Sequence, residues 1–157
     1  MGLKDVEKEI YSTFAEIANT IGYSEIHGRI IGALLVGGKR LSLQELAERT
    51  EYSISTISLS LDLLEFLGMI KKIKKAGDRK LYIELQGDLI GGLKKAFLIR
   101  IQKSAAETLE RFRKYEKELR RDNSEEAKRI LRTLQTLDKE VRRLEKYINL
   151  LAKLRLP

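Results

Sequence analysis

A short segment between residues 70 and 85 concentrates positive charge. Within ten residues it has one acidic residue, Asp78, and six cations: Lys71, Lys72, Lys74, Lys75, Arg79 and Lys80. Cations at this density repel one another unless a polyanion neutralises them, as the phosphate backbone of nucleic acid does. The whole chain is also basic, with a net charge of +8. The pattern predicts a phosphate-binding surface, and the alternative is a basic hairpin that is only solvated.

Two neighbouring residues of this segment are expected to act together. Arg79 lies where a turn is predicted, and its guanidinium suits a narrow minor groove, which concentrates negative potential. Asp78 is expected to orient that guanidinium through an ion pair. Binding through such contacts should weaken steeply as the salt concentration rises, because counterion release drives it.

A second group of side chains precedes the basic segment, in the run YSISTISLSL. Its candidates for DNA contact are Ser53, Ser55, Thr56, Ser58, Leu59 and Ser60. Hydroxyl groups can form hydrogen bonds with phosphates or base edges, and a leucine can contact the methyl group of thymine. The alternative is that the serines only cap and cover a helix.

The elements that must position these residues follow from the spacing of apolar residues. Apolar residues three and four apart predict four helices, over residues 3–21, 25–36, 43–50 and 54–67. Ser42 with Glu45 is expected to form a capping box on the third helix, and Ser53 to cap the fourth. The fourth helix is expected to bury Ile54, Ile57, Leu61 and Leu64.

Alternating residues then predict a β-hairpin, with strands over 70–74 and 80–85 and a turn over 76–79. Helix, turn, helix, strand, basic turn and strand is the order of a winged helix-turn-helix. In that fold the second helix of the pair enters the major groove, and the wing reaches phosphates or the minor groove. The predicted fold class is mainly α with a small β wing, and residues 1–87 are predicted to form the DNA-binding domain.

Residues 88–157 are predicted to form two long helices, over 88–121 and 124–155. The second has apolar residues alternately three and four apart, as in the a/d seam of a coiled coil: Ala127, Ile130, Leu134, Leu137, Val141, Leu144, Ile148 and Leu151. Such a seam can pack within the chain, as a helical hairpin, or against a second copy. We expect one flank to do each, so that these helices form the dimerisation arm of a homodimer.

Four segments within residues 20–87 are similar in sequence pattern to a known protein family: GRIIGALLV (28–36), LSLQELAERT (41–50), YSISTISLSLDLLEFLGMI (52–70) and GDRKLYIEL (77–85). Together they resemble the MarR superfamily, and particularly its GbsR-like branch. The resemblance implies a dimeric transcriptional regulator, with a recognition-helix motif S-x-S-T-V-S-x-x-L on residues 53–61 and a wing motif G-D-R-K on 77–80. Related regulators often have Lys or Arg in the recognition helix, where this chain has Ile54 and Leu59. Specificity is therefore expected from hydroxyl, methyl and shape contacts.

The predicted function is that of a transcriptional regulator, acting as a repressor, which binds pseudo-palindromic duplex DNA as a homodimer. Its half-sites should lie about one helical turn apart. One alternative is a winged-helix module for protein interaction, although such a module needs no wing with six cations. The other is an architectural protein that coats DNA without a preferred site.

Other chemistry lacks the residues that it needs. The chain has no cysteine and one histidine, His27, so a Cys/His metal site is not expected. No catalytic constellation and no phosphate-binding glycine loop is visible, so we expect no enzymatic activity and no cofactor. With no apolar leader and no apolar stretch of membrane length, the protein is expected to be cytoplasmic and without membrane contact.

A small-molecule effector is left open by the sequence. The GbsR-like resemblance suggests a quaternary ammonium ligand, which would need an aromatic cage. The candidate aromatic residues are Tyr11, Phe14, Tyr23 and Phe97. We expect these four to be core residues, so the identity of any effector is unknown.

Overall fold

A computed structural model describes residues 1 to 157. Helices account for 72% of the residues. The elements are α1 Leu3–Thr20, α2 Glu25–Val36, β1 Arg40–Ser42, α3 Leu43–Thr50, α4 Ile54–Phe66, β2 Ile70–Lys74, β3 Leu81–Leu85, α5 Leu89–Arg121 and α6 Glu125–Lys153. The prediction of a mainly α fold, with a small antiparallel sheet and two long C-terminal helices, is confirmed. The order also fits a winged helix-turn-helix, with α3 and α4 as the helix pair and β2–β3 as the wing.

The chain divides into two compact units, Met1–Ala96 and Phe97–Pro157. The division falls within α5, a helix of 33 residues. The predicted domain boundary after residue 87 stays a prediction. None of the helices combines the length with the apolar content that crossing a lipid bilayer requires.

The core of the first unit lies between α1 to α4 and the sheet. Its large, fully buried side chains are Ile30, Leu34, Leu46, Ile57, Leu61 and Ile83. Gly28 of α2 lies directly against the backbone of α1, where a Cβ atom would be only 2.0 Å from the carbonyl oxygen of Phe14. The close packing of α1 on α2 therefore depends on the absence of a side chain at Gly28.

The sheet has three strands, in the order β1-β3-β2, whereas the sequence pattern predicts only two. β1 contains three residues, which is too short for a periodic pattern to reveal. It forms because Arg40 and Leu41 pair with Glu84 and Ile83 of β3, and an ion pair joins Arg40 to Glu84. The wing is thereby attached to the segment that leads into α3.

Two caps and one left-handed residue determine the turn between α3 and α4. The Ser42 hydroxyl accepts a hydrogen bond from the Glu45 N–H at 3.1 Å, and the Glu45 carboxylate accepts one from the Ser42 N–H at 2.7 Å. The predicted capping box is therefore confirmed. Glu51 ends α3 with φ of 63°, and Ser53 caps α4 by accepting a bond from the Thr56 N–H at 3.2 Å.

The prediction that Ile54 of α4 is buried in the core is wrong. Ile57, Leu61 and Leu64 are buried as predicted, but Ile54 is 49% exposed. Ile54 is the first residue of the helix, one turn before Ile57, and the core does not extend that far. The inner face of α4 is therefore shorter than the apolar spacing indicates.

The second unit is a helical hairpin made of the C-terminal part of α5 and α6. Ser124 caps α6 as predicted, since its hydroxyl accepts a hydrogen bond from the Ala127 N–H at 3.1 Å. A hydrogen bond between Gln102 and Asn149, 3.4 Å long, joins the two helices. Their buried residues within this unit are Leu98, Ala105, Leu109, Ala127, Leu134 and Ile148.

The contact at Gly28 predicts a large effect of a single methyl group. Gly28→Ala should lower the free energy of unfolding by at least about 2 kcal/mol, because the Cβ atom meets rigid backbone. Chemical denaturation measures this. The matched control is Gly92→Ala, where the atoms nearest to the new Cβ, at 2.9 to 3.5 Å, belong to the unbranched side chain of Met69 rather than to backbone, and alanine favours the helix. An equal loss of stability in both variants would contradict the account.

Candidate nucleic-acid interface

The first two turns of α4 present hydroxyl groups and two apolar side chains, Ile54 and Leu59, outward. Because the inner face packs in the core, the remaining positions point away from it. The residues predicted for DNA contact that are exposed there are Ser53, Ser55, Thr56, Ser58 and Leu59, while Ser60 is half-buried. Leu59 stands out, since 82% of its surface is exposed. The structure therefore brings all six predicted residues of α4 to or near the surface.

Some of these hydroxyl groups are already engaged within the helix. The Ser53 hydroxyl lies 2.7 Å from that of Thr56 and 3.2 Å from that of Ser55. Ser60 donates to the carbonyl oxygen of Thr56 at 3.0 Å, whereas Ser58 makes no side-chain hydrogen bond. Ser53 and Ser60 thus have a structural role, and Ser58 and Leu59 are the side chains most free to meet a partner.

The wing turn is organised by Asp78, but not in the way predicted. Its carboxylate accepts hydrogen bonds from the Lys80 N–H at 2.9 Å and from the Tyr82 hydroxyl at 3.1 Å. The expected ion pair with Arg79 is absent, and Arg79 is exposed without an ion pair. The bond from the Lys80 N–H, supported by that from Tyr82, lowers the pKa of Asp78 below its ordinary value. Asp78 therefore shapes the turn and leaves the Arg79 guanidinium without an ion-pair partner.

The six cations of the wing have different surroundings. Lys75 lies over the ring of Tyr82, with 5.5 Å between its Nζ and the ring centroid. Lys71 lies opposite Glu84 in the strand register without forming an ion pair. The cations that have no ion pair and no ring contact are Lys71, Lys74, Arg79 and Lys80, and all four are exposed. These four are the side chains most available to phosphates.

Lys72 differs from the other five cations because acidic residues of α4 surround it. Its Nζ lies 2.6 Å from an oxygen of Asp62 and 3.9 Å from one of Glu65. The hydrogen bond with Asp62 raises the pKa of Lys72, which stays charged. The sequence places one acid among the six cations, whereas the folded surface adds Asp62 and Glu65. No pattern in the sequence pairs residues ten positions apart across a helix and a strand.

α6 divides the predicted heptad seam into two stripes. The members packed inside the hairpin are Ala127, Leu134, Val141 and Ile148, of which all but the half-buried Val141 are buried. The other stripe consists of Ile130, Leu137, Leu144 and Leu151; the first three are 45%, 46% and 45% exposed, and Leu151 is half-buried. The first three side chains of this second stripe thus remain about half exposed in the second unit. The stripe is therefore an apolar surface with regular heptad spacing.

The aromatic residues considered for an effector do not form a cage. Tyr11 is buried, and the Tyr23 hydroxyl donates to the carbonyl oxygen of Ala96 at 2.7 Å. Phe14 and Tyr23 line, with His27, an apolar cavity of about 40 Å³ inside the first unit. Burial lowers the pKa of the His27 imidazole. Phe97, predicted as a core residue, is 45% exposed instead.

The chain has no group of three or more histidine and acidic side chains placed to hold a metal ion.

Comparison by sequence finds no matching protein-family model and no matching curated protein. A solved structure described as a transcriptional regulator has a similar fold, with a TM-score of 0.65 and 22% sequence identity. The similarity covers 94% of this chain and 97% of that one. It supports the fold, and the resemblance to the MarR superfamily stays a prediction.

The hydrogen bonds at the wing turn predict an acidic titration. Asp78 should titrate below the ordinary 3.8 of an aspartate, and the Lys80 amide proton should shift with the same midpoint. The pKa of Asp78 is lower in the folded chain than in the unfolded chain. The two hydrogen bonds therefore stabilise the turn at pH values above the unfolded pKa, and this stabilisation is lost as the pH falls through the folded pKa. NMR titration measures both midpoints.

The matched variant is Tyr82→Phe, which removes only the lesser of the two hydrogen bonds. The pKa of Asp78 should then rise partway towards 3.8. A wild-type pKa at or above 3.8, or a Lys80 amide that does not follow Asp78, would show that the turn is held in another way.

Proposed function

We propose that this chain is a DNA-binding transcriptional regulator whose α4 enters the major groove while the wing contacts the phosphate backbone and the adjacent minor groove. The observation that carries the proposal is the set of four unpaired cations on the wing beside the exposed hydroxyl face of α4. Both belong to the first unit, and the Lys72–Asp62 contact joins them. The fold shared with a solved transcriptional regulator supports the proposal.

The two surfaces have different tasks in this proposal. Lys71, Lys74, Arg79 and Lys80 supply affinity, because each cation that meets a phosphate releases counterions. Ser55, Thr56, Ser58 and Leu59 supply sequence preference through hydroxyl and methyl contacts with base edges. α4 has no Lys or Arg, so a bidentate contact between arginine and guanine is not part of this interface.

We further propose that the protein acts as a homodimer through α6. The exposed stripe of Ile130, Leu137, Leu144 and Leu151 repeats every seven residues, which is the spacing at which two helices pack along a seam. A second copy of the chain is the partner that offers an identical stripe, and two-fold symmetry then makes the contact self-complementary. Such a dimer suits a pseudo-palindromic site with half-sites about one turn apart.

The proposed direction of regulation is repression, because a dimer seated on its site excludes other proteins from that DNA. We assign the chain to the GbsR-like branch of the MarR superfamily on the four segments quoted above, and its place of action to the cytoplasm. An effector, if one binds, has a chemistry that the aromatic residues do not identify.

A second function has one specific observation in its favour. Because the exposed face of α4 has no cation, base readout would be weak in this alternative, and the wing would coat DNA without a preferred site.

Selection from random duplex DNA at a fixed salt concentration separates the regulator from the coating protein. Enrichment of an inverted repeat supports the regulator, and changes at Ser55, Thr56 or Leu59 should alter the enriched sequence. Tight binding without enrichment supports coating, and no binding contradicts both.

The unpaired guanidinium of Arg79 predicts a general loss of affinity. Arg79→Ala should weaken binding to all duplexes by about tenfold at moderate salt, since a charge-assisted hydrogen bond to phosphate is lost. Fluorescence anisotropy over a salt series measures this. The matched control is Arg111→Ala, which removes an exposed arginine without an ion pair in the second unit. Unchanged affinity of the Arg79 variant would refute the proposed role of the wing.

The exposed stripe of α6 predicts a sensitive position for dimerisation. Leu137→Glu should raise the dissociation constant of the dimer at least a hundredfold, about 2.8 kcal/mol, because it places a charge in an apolar seam. Thr136→Glu adds the same charge at an exposed neighbouring position and should change dimerisation little. Sedimentation equilibrium measures both. A wild-type chain that stays monomeric, or two variants that behave alike, would refute the α6 dimer.

A further inference from the structure

Lys72 is set apart from the other cations of the wing by its position in the sheet. In the register of β2 and β3 it lies opposite Ile83, which is fully buried, whereas Lys71 lies opposite the partly exposed Glu84. Successive residues of a strand point to opposite faces, so Lys72 belongs to the face with Ile83. Only 28% of the Lys72 side chain is exposed, and its ammonium reaches the carboxylates of Asp62 and Glu65 on α4.

The contacts of Lys72 join the two elements that are proposed to meet DNA. Asp62 and Glu65 lie three residues apart on α4, in the turns that follow the exposed hydroxyl groups. The Lys72 ammonium is 2.6 Å from Asp62 and 3.9 Å from Glu65, and it is the only wing cation with an ion pair. A phosphate approaching Lys72 would meet two carboxylates at the same place, and their repulsion offsets the attraction of one ammonium.

We infer that Lys72 is a positioning residue, which holds the wing against α4 through Asp62 and Glu65, and that it does not contact DNA. The inference rests on the proposed function and refines it, because it gives Lys72 a task different from the phosphate contacts of the four unpaired wing cations. Groove and backbone contacts must be made together, so the wing has to be correctly oriented relative to α4 in the complex. If the ion pair does not hold the wing beforehand, the wing must be ordered during binding, which lowers the affinity but leaves the phosphate contacts of the final complex the same. The ion pair is part of the binding machinery although it lies away from the DNA.

The salt dependence of binding distinguishes positioning from phosphate contact. Each phosphate contact adds about 0.9 to the slope of log affinity against log salt. Lys74→Gln, at an unpaired wing position, should reduce that slope by about 0.9. Lys72→Gln should instead lower the affinity by about two- to fivefold, the effect of a partly exposed ion pair, and leave the slope unchanged. A reduced slope in Lys72→Gln would overturn the inference.

Asp62→Asn supplies the complementary variant, because it removes the partner and keeps Lys72. If Lys72 positions the wing, Asp62→Asn weakens DNA binding, and the double variant with Lys72→Gln binds no worse than the weaker single variant. If Lys72 contacts phosphate, removing the competing carboxylate strengthens binding instead, which would overturn the inference.

A readout without DNA separates this inference from the function on which it rests. Lys72→Gln should speed hydrogen exchange at the backbone amides of β2, whereas Lys74→Gln should not. Equal exchange in the two variants would contradict the positioning role. If the wild-type chain binds no duplex DNA at all, the proposed function fails. If the wild-type chain binds DNA and Lys72→Gln reduces the salt slope, the inference about Lys72 fails and the proposed function stands.

Discussion

Burial of the inner face of α4 is the constraint on which the rest of the proposed interface depends. Ile57, Leu61 and Leu64 lie in the core of the first unit, and a helix with one face buried must present the opposite face outward. That face contains Leu59 and the hydroxyl residues, and it ends at Asp62, where the wing is attached through Lys72. Large apolar side chains thus determine both the surface that α4 presents and the point at which the wing joins it.

The sequence predicts the elements well where a local pattern specifies them. The capping box of Ser42 and Glu45, the heptads of α6 and the wing hairpin are local, and the structure contains all of them. β1 is missed because three residues show no period, and its pairing partner lies about forty residues away. Ile54 is misplaced because spacing alone does not reveal where the core ends.

The candidate site is less predictable than the fold, because charge pairing is decided by tertiary contacts. The residue types identify the wing cations, but only the folded chain shows that Asp78 bonds to the Lys80 amide rather than to Arg79. The same is true of α6, where one regular seam separates into a largely buried stripe and a half-exposed stripe. In both regions the sequence predicts the chemistry, and packing determines which side chains remain available.

Hydroxyl-radical footprinting on a selected duplex tests the central claim most directly, because it reports where the chain lies on DNA. A dimer that reads the major groove with α4 and the backbone with the wing predicts two protected patches about one helical turn apart, related by two-fold symmetry. Both patches should fade together as salt is raised. A single unsymmetrical patch, featureless protection along the whole duplex, or no protection at low salt would contradict the account.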